Sequence, residues 1–84
     1  MSSGIDDQDF RSTEVSLRQR LGYAAASVAA TEEWVADTLE RLARTRPHDA
    51  ARLRARAAHA RSFAAEERAR AAWYAPGSDE VRPR

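Results

Sequence analysis

Between residues 12 and 45 the apolar positions Leu17, Leu21, Ala24, Val28, Val35, Leu39 and Leu42 fall within about 40° of one line when the chain turns by 100° per residue. That spacing predicts a helix over 12–45 with one main apolar face. Asp9, Ser12 or Thr13 is available as a cap, and Glu14 suits the positive end of the helix dipole. Pro47 lacks the amide hydrogen of a helix interior and pushes Arg46 out of the helical basin, so a turn is expected at 45–47. A second helix follows over 47–74, with Leu53, Ala57, Ala60, Phe63, Ala64, Ala71 and Tyr74 on one face, and Ala75-Pro76-Gly77 stops it. So short a turn folds the chain back on itself, placing Leu53 beside Leu42, Ala60 beside Val35 and Tyr74 beside Leu21. The fold class is all-α, an antiparallel two-helix hairpin, with residues 1–11 read as a flexible acidic arm and 75–84 as a flexible tail.

A second stripe modifies this picture. Tyr23, Ser27, Ala30 and Trp34 lie about 130° from the main line of the first helix, while His59, Glu66 and Trp73 lie about 120° from that of the second, with Phe63 between. In an antiparallel pair these stripes share one side, opposite Ala25, Ala29, Ala36, Arg54, Arg61 and Arg68. Tyr23, Trp34, Phe63 and Trp73 are therefore the expected self-association residues, joining two hairpins into a homodimeric four-helix bundle. Composition strengthens the expectation: of 36 apolar residues 19 are alanine, too little bulk to hold two helices firmly by themselves.

Charge is distributed unevenly. Residues 1–40 carry eight acids against three arginines, and 41–61 carry seven arginines against Asp49, although the net charge is only +1. A hairpin would collect the positive charge at its tip, and Arg44, Arg52, Arg54 and Arg56 are the expected site for an anionic partner. An acidic protein is the expected partner; nucleic-acid phosphates are the alternative, although no helix-turn-helix pattern accompanies the arginines. Pairs four apart, Glu14 with Arg18, Asp37 with Arg41 and Glu40 with Arg44, are expected to support the first helix. Glu67 falls within the second helix's apolar face, where it needs an arginine or water.

Catalytic chemistry finds little here. Glu32, Glu33, Glu66, Glu67 and His59 lack the Glu-x-x-His spacing of di-iron bundles, since Ala69 stands three residues after Glu66. With three glycines there is no phosphate loop, and with no cysteine there is no thiolate ligand or disulfide. No enzyme, cofactor or metal site is expected. The first residues show neither the basic start nor the apolar core of a secretion signal, and no apolar run is long enough to span a membrane, so a cytoplasmic location is expected. The chain has the size of the small secreted hairpins built on a Trp-x-Gly turn. Its turn reads Arg46-Pro47-His48, however, and Ser78 stands four residues after Tyr74 where their export pattern has an acid, so these residues assign no family.

Overall fold

A computed structural model describes residues 7–75. Helix α1 spans Asp7–Thr45, a single 3-10 turn spans Pro47–Asp49, and helix α2 spans Ala50–Tyr74 and packs back along α1. The turn forms where proline requires it: Arg46 is extended at φ −132° and ψ 79°, and the Asp49 amide donates to the Arg46 carbonyl at 3.0 Å. At the far end Ala75, which precedes Pro76, is extended at ψ 147° and closes α2 with an amide bond to the Ala72 carbonyl. α1 begins five residues earlier than the sequence suggests. Thr13, a candidate cap, lies inside the helix and donates its hydroxyl to the Asp9 carbonyl at 3.1 Å. Residues 7–11 of the expected arm are thus helical, while residues 1–6 and 76–84 lie outside the described residues.

The register agrees with expectation, but the face of α1 that closes the hairpin does not. Val35 and Leu42 pack on a cluster containing Leu53 and Ala60, and Gly22 comes against Tyr74. Yet the buried residues of α1 are Ala25, Ala29, Ala36, Leu39 and Ala43, on a line about 80° from the leucine-valine line. They face Leu53, Ala57, Ala60 and Ala64 of α2. Alanine meeting alanine lets the two backbones approach closely, and dispersion between the helix surfaces then replaces the bulk of larger side chains. Ala29, Ala36 and Ala57 retain no exposed surface, and among the described residues no large side chain is fully buried.

Electrostatics favours the same rotation. It brings the acids of α1 over the arginines of α2: Arg61 donates to Glu40 at 2.6 Å and to Asp37 at 2.9 Å, and Arg68 grips Glu33 through two bonds of 2.6 and 2.8 Å. Asp37 and Glu40 consequently pair across the hairpin rather than with Arg41 and Arg44, and Arg41 contacts the Thr38 hydroxyl instead. These half-exposed pairs contribute modestly to stability, but they select one rotation of α1 against α2.

Gly22 tests how tight the seam is. A methyl group there would lie 3.4 Å from the Tyr74 Cβ and 3.6 Å from the Ala71 carbonyl oxygen, ordinary contact distances. Because glycine is a poor helix residue, Gly22→Ala is expected to stabilise the protein by about 0.5–1 kcal/mol, read as a rise of a few degrees in melting temperature. A lower melting temperature would mean that the helices approach more closely than described.

Candidate self-association surface

The rotation that buries the alanines leaves the bulkier residues of α1 outside. Leu17 is 51% exposed, Leu21 48% and Val28 40%, with Phe10 more open still. Val35 and Leu42 continue the line as half-buried residues flanking the core. Leu21, Val28, Val35 and Leu42 recur every seven residues, as do Phe10, Leu17, Ala24, Thr31 and Thr38 in a second series offset by three. This is the a/d spacing of a coiled-coil seam, carried on a face the hairpin covers only in part, at Val35 and Leu42. Both threonines in the line direct their hydroxyls into their own helix, Thr31 to the Ser27 carbonyl at 3.1 Å and Thr38 to the Trp34 carbonyl at 2.9 Å. Covering this face would therefore strand neither hydroxyl. From Phe10 to Leu42 the line runs about 48 Å along α1.

The hairpin thus has two unlike sides. One carries the bridges from Glu33, Asp37 and Glu40 to Arg61 and Arg68. The other carries the leucine-valine line and Phe63, with a shallow groove of about 370 Å³ between Val35 and Leu39 on α1 and Arg56 and His59 on α2. Glu67 lies at the edge of the core, 8% exposed, and pairs with Arg70 on its own helix at 2.5 Å.

The four expected aromatics are all exposed, but they do not share a side. Because the buried line of α1 is its alanine face, Tyr23 and Trp34 lie about 150–170° away from it. Tyr23 borders a cavity of about 240 Å³ with Gly22, Ala26, Ala71 and Tyr74. Trp73 sits at the open end, where the Arg18 guanidinium lies 4.9 Å from its ring centre and donates to its carbonyl at 3.0 Å. Arg18 thereby satisfies a last-turn carbonyl of α2 and places positive charge at the negative end of its dipole. Phe63 alone lies on the apolar side. Sequence reasoning passed over the heptad because it took the bulkiest line of α1 for the intramolecular seam; two interleaved seven-residue series were the available signal.

At the tip, Arg52 pairs with Asp49 at 3.1 Å. Arg44, Arg54 and Arg56 are exposed and make no ion pair among the described residues. Arg44 and Arg54 lie on the ion-paired side, and Arg52 and Arg56 toward the groove. Among the described residues no group of three or more His, Asp or Glu is placed to hold a metal ion, and no helix is long and apolar enough to cross a membrane.

The hydrogen bond from Arg68 lowers the Glu33 pKa below the ordinary value of 4.5, and Glu33 raises that of Arg68. A depressed carboxylate pKa contributes stability above the unfolded value and loses it as pH falls through the folded one. The melting temperature is therefore expected to fall on acidification below about pH 4.5, and Glu33→Gln to flatten that fall, in melts recorded from pH 7 to 3. Identical acid profiles for the two proteins would contradict the pairing. Comparison with protein-family models, with curated proteins and with solved structures finds no match to this chain.

Proposed function

We propose that this protein is a small non-catalytic interaction module that pairs with a second copy through the apolar side of α1, two hairpins forming a four-helix bundle, and that it docks a partner protein through its arginine tip. The observation that carries the reading is the heptad line left open beside a closed alanine seam. Covering the exposed parts of Leu17, Leu21, Val28 and their neighbours in both copies contributes on the order of 10 kcal/mol gross, against an association cost of about 4–15 kcal/mol. Such a margin supports pairing at micromolar rather than nanomolar concentration. Light scattering behind a sizing column at tens of micromolar is expected to give about twice the 9.4 kDa chain mass; a single-chain mass there would sink the proposal.

Arg44, Arg52, Arg54 and Arg56 are the proposed docking residues, and an acidic protein segment fits them best because they surround the tip instead of lining one groove. The proposed setting is the cytoplasm. Nucleic-acid binding is the second reading, favoured by the three tip arginines without ion pairs among the described residues. Filter binding at low and raised salt separates the two, since phosphate contacts would appear at low salt and fade steeply as salt rises.

A further inference from the structure

α1 is 39 residues long and α2 only 25, and Gly22 of α1 comes level with the last turn of α2. The first dozen or so residues of α1 accordingly run past α2 with no helix beside them among the described residues. Phe10 and Leu17 lie exposed on that overhang, in line with Leu21 and Val28. An overhang with the same apolar face as the rest of α1 calls for a neighbour that arrives from outside the hairpin.

We infer that the second copy binds antiparallel, α1 against α1 over its full length, so that the half of α2 near one tip fills the place beside the other copy's overhang. The inference rests on the self-association reading and adds its direction and register. Aligning the two copies of Asp7–Thr45 end to end puts the twofold axis at residue 26. In that alignment the two heptad series meet: Leu42 comes level with the partner's Phe10, Val35 with its Leu17, and Val28 with its Ala24. Large side chains then face large ones toward the ends, and small ones lie near the axis.

Charge selects the same direction. Residues 41–61 hold seven arginines against one acid, whereas residues 7–21, which come level with the partner's tip, hold three acids against three arginines, so an antiparallel pair sets each basic tip beside a neutral stretch. A parallel pair would stack the two basic tips. Symmetry adds a third argument: a twofold axis perpendicular to the helices places both copies of α2 on one side of the paired α1 helices, side by side where they overlap near the axis, whereas a parallel axis puts them on opposite sides. Only the first covers the overhang, bringing the partner's Phe63 about level with Leu21.

The chain has no cysteine, so a single spin label is introduced cleanly through Ala51→Cys, an exposed position at the start of α2. Electron-electron distance measurement on the full chain, with mass determined on the same sample, is the test. An antiparallel pair separates the labels by about 57 Å along the helices, whereas a parallel pair holds them within about 35 Å. A dimer with the long distance is the expected result. A dimer with the short distance overturns the direction while leaving self-association intact, and a single-chain mass overturns both.

Discussion

Ala36→Leu is expected to destabilise the hairpin by about 1–3 kcal/mol, the usual cost of forcing extra methylenes into a closely packed site. For a chain with a core this thin, that is a large part of the total stability. Ala36 has no exposed surface and lies among Leu39, Leu53, Ala57 and Ala60, so a leucine there must push α2 away and loosen every neighbouring alanine contact. The matched control is Ala24→Leu, about three turns before Ala36 on the exposed heptad line, which should cost nothing and strengthen pairing by filling a small position. Thermal melts of the two variants followed by circular dichroism separate the faces of α1. If Ala24→Leu is the damaging change and Ala36→Leu the harmless one, the leucine-valine line is the intramolecular seam.

The second large effect concerns association. Leu21→Glu combined with Val28→Glu places four carboxylates near the axis of the dimer, and is expected to weaken pairing at least about 100-fold, equivalent to roughly 2.7 kcal/mol or more. Both residues are about half exposed in the single hairpin, so neither change opens the alanine core. At tens of micromolar the variant should run with the mass of one chain, and its helical signal should match that of the parent protein at a dilution where the parent is also monomeric. An unchanged dimer mass would show that the contact lies on another face.

Much of the architecture was legible in the residues. Pro47 marks the turn because its ring and missing amide hydrogen act locally, without help from the rest of the fold. The seam of α2 was legible because Leu53, Ala57, Ala60 and Ala64 have no bulkier competitor on that helix before its last turn, except Phe63 at the edge. Once the turn is short, register follows from length alone, and Tyr74 comes to Gly22, one residue from the expected Leu21. The rotation of α1 was not legible from its own pattern. Leucine and valine dominate any count of hydrophobicity, whereas the closing face is selected by α2, whose alanines accept a flat partner and whose Arg61 and Arg68 reach for Glu33, Asp37 and Glu40. That choice belongs to the pair of helices. The four aromatics fall on different sides for the same reason, since Tyr23 and Trp34 were placed relative to a line that closes the hairpin only in part.

The central claim is that alanines close the hairpin and the bulkier heptad line is completed by a second copy. Melting temperature as a function of protein concentration tests it most directly, because only a fold completed by association gains stability by mass action. Over a hundredfold range, from about 1 to 100 µM, the midpoint is expected to rise by about 5–10 °C. A midpoint that stays constant across that range would contradict the account.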